Sequence, residues 1–94
     1  MDLESKYEWF KDAANEIRKK KADVTMYESK IKRFESFESL DRTEREKLMV
    51  WEQELLGVRA SLNALVAEYN SQSSKFNWSM FDTNESVPTF FETN

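Results

Sequence analysis

The residues of this chain that could do chemistry are a run of four cations and a few closely spaced carboxylates. The run occupies residues 18–21, and a cluster of Lys and Arg is typical of phosphate-binding surfaces. A fifth cation would lie near Lys20 in the helix register derived below. The candidate anion patch therefore consists of Arg18, Lys19, Lys20, Lys21 and Arg59.

The surroundings of this run favour a different interpretation. Glu16 and Asp23 flank it, and no aromatic residues are interleaved for stacking on bases. The net charge of −4 gives no overall attraction for nucleic acid. We therefore expect a solvated helix face whose lysine stems cover apolar surface. Weak nucleic-acid binding is kept as a remote alternative.

Carboxylate pairs are the remaining candidates for catalysis, because the chain has neither His nor Cys. That composition removes the commonest general base, the thiolate nucleophile and the usual zinc ligands. Glu44 with Glu46, and Glu52 with Glu54, are expected on exposed helix faces where nothing would exclude water. We expect no catalytic, cofactor-binding or metal-binding residues and no cofactor, and therefore a protein that is not an enzyme.

Two heptad patterns predict the elements that carry these residues. In residues 48–76 apolar residues recur every three or four positions, the spacing of a stripe that packs one helix on another. In residues 3–31 apolar residues stand seven apart along one helix line. The predicted helix–helix seam consists of Leu3, Phe10, Ile17, Val24, Ile31, Leu48, Trp51, Leu55, Val58, Leu62, Leu65, Tyr69 and Phe76.

The chain is accordingly predicted to be all-α, an antiparallel two-helix hairpin similar to a coiled coil. The only glycine is Gly57 and the only proline is Pro88, so no strong breaker interrupts the first half. The first helix is expected at about residues 3–36, the turn at about 37–41 and the second helix at about 42–77, within a hairpin domain of residues 1–78. Asp41 followed by Glu44 predicts a capping box at the start of the second helix.

A turn centred between residues 39 and 40 brings the two heptad lines into register level by level. Phe10 then faces Tyr69, and Leu3 faces Phe76. Two independent patterns agree on one turn position, which supports the hairpin.

Two features beside the second seam leave alternatives open. Gly57 either just weakens the helix or marks the close approach of a partner helix. Asn63, Asn70 and Asn77 each follow an apolar seam residue. They either meet water or form hydrogen bonds across helices that fix the register.

Residues 79–94 are predicted to form an extended or irregular tail. The chain has no Lys or Arg from residue 78 onwards, and Pro88 prevents a continuing helix. Disordered segments are poor in aromatic residues, whereas this one is rich in them, so it should dock on its own bundle or on a neighbouring chain. The candidate docking residues are Trp78, Phe81, Val87, Phe90 and Phe91.

A single seam leaves apolar residues uncovered. The surplus consists of Trp9, Met49, Val50, Leu56 and Val66. A two-helix hairpin also buries too little surface to offset the loss of chain entropy comfortably. We expect a homo-oligomer, either a dimer or a trimer of hairpins, or association with another structural protein.

Much of the chain resembles a known group of proteins. Residues 7–31, which open YEWFKDAANEI, and residues 51–77, which contain LVAEYN, are similar to small uncharacterised coil-containing proteins of tailed bacteriophages and their bacterial hosts. The Val87-Pro88 pair in the tail is also similar. This resemblance implies a structural or assembly role in a virion. A weaker likeness links residues 66–76 to the C-terminal helix of LemA-type bacterial membrane proteins.

These observations favour a non-enzymatic structural or assembly protein that acts through helix packing and self-association, and the resemblance implies a phage particle as its destination. The alternative is a regulatory adaptor that presents a helix face to a partner protein. No apolar run reaches the ~18 residues of a transmembrane helix, and no signal peptide pattern opens the chain. We therefore expect a soluble protein, cytoplasmic at synthesis.

Overall fold

The computed structural model of the chain describes residues 2–81 and 87–92. Two long helices, α1 (Leu3–Glu35) and α2 (Arg42–Ser74), form the predicted antiparallel hairpin. A single 3₁₀ turn, Trp78–Met80, follows α2, and the described residues contain no strand. The predicted tail therefore lies partly outside the described residues, at positions 82–86 and 93–94.

Aspartates start both helices. The Asp2 carboxylate accepts a hydrogen bond from the Ser5 N–H at 2.7 Å, and Asp41 accepts one from the Glu44 N–H at 2.8 Å. The Glu44 carboxylate in turn accepts from the Asp41 N–H at 3.0 Å. The predicted capping box is confirmed, and it satisfies two amides that a helix start leaves without partners.

The second helix ends at Ser74, three residues before the predicted end. The N–H groups of Lys75 and Phe76 donate to carbonyls three residues back, those of Gln72 and Ser73, both at 3.2 Å. This tightened last turn directs the Phe76 ring inward, where its centroid lies 4.9 Å from that of Phe10. The segment that follows α2 therefore begins at residue 75, before the predicted start of the tail at residue 79.

The main core lies at the open end of the hairpin, where the start of α1 lies beside the end of α2. Its buried members come from three segments, α1, α2 and the tail, and are Phe10, Ala13, Ala14, Ile17, Val66, Tyr69, Val87 and Phe91. Near the turn only Ile31 and Leu55 are buried, beside a contact of 4.8 Å between the ring centroids of Phe34 and Trp51. Burial is therefore concentrated where the tail returns.

Most of the seam is covered, with one departure. Phe10, Ile17, Ile31, Leu55 and Tyr69 are buried, and the seam residues other than these and Leu3 are half-buried. Leu3 is 38% exposed because the side chain predicted to face it, that of Phe76, packs on Phe10 instead. The predicted neighbours Phe10 and Tyr69 do touch, with ring centroids 5.1 Å apart.

Candidate functional site

The most elaborate site on the molecule is the groove that holds residues 87–92. We name it the tail groove and define it by the buried side chains of Phe10, Ala14, Val66 and Tyr69 with the polar groups of Asn70 and Ser73. Helix α1 supplies the first two of these residues and helix α2 the other four. The tail therefore docks on its own hairpin, which answers the question that the aromatic composition left open.

Two tail side chains anchor the segment in the groove. Val87 is 4% exposed and Phe91 is 9% exposed. The Phe91 ring packs edge-on against the Tyr69 ring, with centroids 4.9 Å apart. Phe90 does not dock, since it is 61% exposed and faces solvent from the docked segment. The prediction for Phe90 was therefore wrong, because the tail buries only one of its two adjacent phenylalanines.

The backbone of the tail is held by polar side chains of α2. The Tyr69 hydroxyl donates to the Pro88 carbonyl at 2.5 Å, and the Ser73 hydroxyl donates to the Thr89 carbonyl. Asn70 makes two bonds to the backbone of Phe91. Tail carbonyls that enter the groove are thus paired, which removes the cost of burying them.

Two cations of the predicted anion patch cover the outer side of Phe91. The Arg18 guanidinium lies 5.7 Å from the centre of the Phe91 ring, and the Lys21 ammonium lies 5.3 Å from it. Both distances are within the range of cation–π attraction. These residues therefore contribute to holding the tail.

The other cations of the patch have separate environments. Lys20 pairs with Glu16 at 3.5 Å, and Lys19 is exposed. Arg59 pairs with Glu28 at 2.7 Å, about two turns along α1 from the position predicted for it beside Lys20. Its long side chain reaches the nearest carboxylate across an open inter-helix groove of about 520 Å³. The five cations accordingly do not converge on one point.

Aromatic rings close the open end below the groove. Phe81 stacks on Tyr7 with centroids 4.4 Å apart, and the Trp78 ring lies 4.8 Å from Phe10. The indole N–H of Trp78 donates to the carbonyl and the hydroxyl of Ser73, both at 3.1 Å. Trp78 and Phe81 are half-buried by these contacts.

The asparagines beside the seam serve the tail and the turn after α2 rather than the helix–helix register. Asn70 binds the Phe91 backbone, and Asn77 caps the 3₁₀ turn by accepting from the Ser79 N–H at 3.1 Å. Asn63 is exposed. The heptad spacing identified these residues as candidates for hydrogen bonding. It did not predict that Asn70 binds the tail or that Asn77 caps the turn after α2.

The Tyr69 hydroxyl is the group whose acidity the fold changes most among the described side chains. Burial raises the pKa of Tyr69 to about 12, partly offset by the positive charge of Arg18. The phenol is therefore neutral at pH 7 and able to donate to Pro88.

Among residues 2–81 and 87–92, no three His, Cys, Asp or Glu side chains are placed to hold a metal ion. Over the same residues, neither long helix contains a stretch apolar enough to cross a membrane. Comparison of the chain with protein-family models, curated proteins and solved structures found no match.

Proposed function

We propose that this chain is a non-enzymatic structural or assembly protein that acts by packing its helices against further copies of itself. The observation that carries the proposal is an exposed line of uncharged residues on α2. We name this line the α2 stripe and define it as Met49, Gln53, Leu56, Ala60, Asn63 and Ala67.

Two large apolar side chains of the α2 stripe are exposed. Met49 is 61% exposed and Leu56 is 66% exposed. Each stands two residues before a seam residue, Trp51 and Val58 respectively, which places it about 160° around the helix from the seam. The hairpin therefore cannot cover these side chains. Residues 87–92, the described part of the docked tail, do not reach them either, since their contacts lie around residues 66–73 of α2.

The pattern of the α2 stripe favours a second copy over an unrelated partner. If two α2 helices cross antiparallel with the two-fold axis at the level of residue 58, Met49 faces Ala67 and Leu56 faces Ala60. A large apolar side chain then meets a small one in each of these pairs, and the amides of Gln53 and Asn63 face each other. A self-complementary patch of this kind is what a symmetric dimer requires.

The hairpins are further proposed to pack into a virion. The resemblance to coil-containing phage proteins supports this particle. A regulatory adaptor, which would present the α2 stripe to a partner's helix, is the competing function. The two functions predict different masses for the isolated protein, an oligomer for self-assembly and a monomer for the adaptor.

Light scattering on the purified chain tests the proposal. A mass above that of one 11.2 kDa chain is expected, rising with concentration from micromolar to submillimolar. Leu56→Glu should return the mass to that of a monomer, because it places a charge in the centre of the interface. Met80→Glu is the matched control, since Met80 is an apolar side chain with similar exposure, 69%, outside the α2 stripe.

A monomer at every concentration would contradict self-association and favour the adaptor. An oligomer that Leu56→Glu leaves intact would remove the α2 stripe from the argument.

A further inference from the structure

We propose that the tail groove binds short peptide segments in trans, and that its ligand is the tail of a second copy of this chain. The ligand class is a segment of the pattern Val-Pro-x-x-Phe, represented here by residues 87–91, in which the chain bends at Val87 and Thr89. Exchange of tails would join hairpins at their open ends, a link that does not involve the α2 stripe.

The groove recognises the backbone of its occupant. The hydroxyls of Tyr69 and Ser73 and the amide of Asn70 bind three successive regions of the tail main chain, at Pro88, Thr89 and Phe91. Asn70 also accepts from the Phe91 N–H at 2.9 Å. Bonds of this kind select one backbone conformation and one chain direction, and they do not depend on which chain supplies the segment.

Side-chain anchors add sequence preference. The Val87 side chain and the Phe91 ring are the two buried groups, and Thr89 and Phe90 between them are exposed. Small residues of α1, Ala13 and Ala14, form part of the same buried cluster. Alanines at these positions leave room between the helices for the incoming anchors.

The walls of the groove are complete without the tail. All the residues that line it belong to α1 or α2, which are in contact at the open end through Phe10 and Tyr69 and near the turn through Phe34 and Trp51. When the tail leaves, apolar surface at Phe10, Val66 and Tyr69 becomes exposed. The tail of another copy covers that surface with the same contacts, which is the condition for exchange of identical elements between protomers.

Charge favours the approach of a second tail. Residues 78–94 contain three acidic residues and no Lys or Arg. Arg18 and Lys21 stand over the Phe91 position of the groove. An acidic tail is therefore attracted to the basic edge of another hairpin, and added salt should weaken the exchange.

Cross-linking between two full-length variants tests the proposal, because the natural chain has no cysteine and introduced thiols are unique. The receiver carries Ser73→Cys with Val87→Asp and Phe91→Asp, so that its own tail is released and its groove is open. The donor carries Thr89→Cys on an intact tail. Both also carry Leu56→Glu, which removes contact through the α2 stripe. A short bismaleimide is then added to the equimolar mixture.

The expected result is a mixed dimer at roughly ten times the yield obtained with a receiver that carries Ser71→Cys in place of Ser73→Cys. Ser71 is exposed and takes part in none of the hydrogen bonds between α2 and residues 87–92, so a cysteine there reports random encounters. A single chain with both Ser73→Cys and Thr89→Cys should cross-link internally and calibrates the reaction. Circular dichroism verifies the receiver's helices, and Val87→Ser with Phe91→Ser replaces the aspartates if they unfold it.

Equal yields from the two receivers would overturn the proposal, as would failure of the single-chain control to react. Neither result bears on self-association through the α2 stripe, because Leu56→Glu excludes that contact from the experiment.

Discussion

Asn70 holds the backbone of Phe91 with both ends of its side-chain amide. The Nδ2 group donates to the Phe91 carbonyl at 2.8 Å, and Oδ1 accepts from the Phe91 N–H at 2.9 Å. Only a side chain with a donor and an acceptor on one planar group can make this pair of bonds. Asn70, which lies beside the helix seam, therefore uses its side-chain amide to bind the tail.

Replacement of Asn70 by Ala should destabilise the folded chain by about 1–3 kcal/mol, because two backbone groups of the tail lose their partners. Urea denaturation followed by circular dichroism measures the change. Asn63→Ala is the matched control, because Asn63 is exposed on the same helix, and it should change stability by less than about 0.5 kcal/mol. Equal effects of the two substitutions would contradict the docking of the tail at Asn70.

The helices themselves were predictable from local signals. Heptad spacing predicted two helices and their pairing, and the Asp41–Glu44 spacing predicted where α2 begins. Such signals are local because a helix satisfies its backbone within a few residues. The end of α2 was not predictable in this way. It depends on Phe76 turning onto Phe10, which stands far away in the sequence.

Tyr69→Phe should make the stability of the protein less sensitive to alkaline pH. Because burial raises the pKa of Tyr69 to about 12 in the folded state, the folded chain retains the phenolic proton that an unfolded chain loses near pH 10. The resulting stabilisation is fully present below pH 10 and is lost as the pH rises towards 12. We expect a loss of about 1–2 kcal/mol across that window in the natural chain relative to the variant.

Thermal unfolding of both proteins between pH 7 and alkaline pH measures this difference. Tyr27, whose pKa is raised by its hydrogen bond to Glu54, is present in both chains and cancels in the comparison. Parallel pH profiles would show that the Tyr69 phenol is not buried by the tail. At neutral pH the variant should be less stable by about 1 kcal/mol, the value of the hydrogen bond to Pro88.

The tail groove was the least predictable part of the molecule. Aromatic enrichment indicated that the tail docks, but composition does not specify a target. The target is defined by groups that only the hairpin assembles, above all Tyr69 and Asn70 facing the tail from one side of α2. The core around the docked tail also accounts for two of the apolar residues that the seam left uncovered. Val66 is 1% exposed there, and Trp9 packs beside Tyr69.

Gly57→Ala should stabilise the monomer by about 0.5–1 kcal/mol. Gly57 lies in the middle of α2, where glycine is disfavoured, and in the described part of the chain a methyl group at this position would meet no atom within 4 Å. Within the hairpin, therefore, Gly57 does not mark the close approach of the other helix. The melting temperature of the Leu56→Glu protein with and without Gly57→Ala measures the gain without self-association. An unchanged or lower melting temperature would indicate that position 57 is in contact.

Cysteines introduced along the α2 stripe should form disulfides only in the pattern of an antiparallel dimer. With the two-fold axis at the level of residue 58, Met49 faces Ala67 of the second copy, and Leu56 faces Ala60. A chain with Met49→Cys alone should remain unlinked on mild oxidation, whereas an equimolar mixture of Met49→Cys and Ala67→Cys should form a mixed dimer. The matched control is a mixture of Met49→Cys with Ala60→Cys. Ala60 is exposed like Ala67, but in the antiparallel pairing it does not lie opposite Met49. Because a disulfide requires Cα atoms within about 7 Å, the pattern of reactive pairs reports the register directly. Homodimers of Met49→Cys would indicate a parallel pairing and would refute this geometry, even if light scattering finds a dimer.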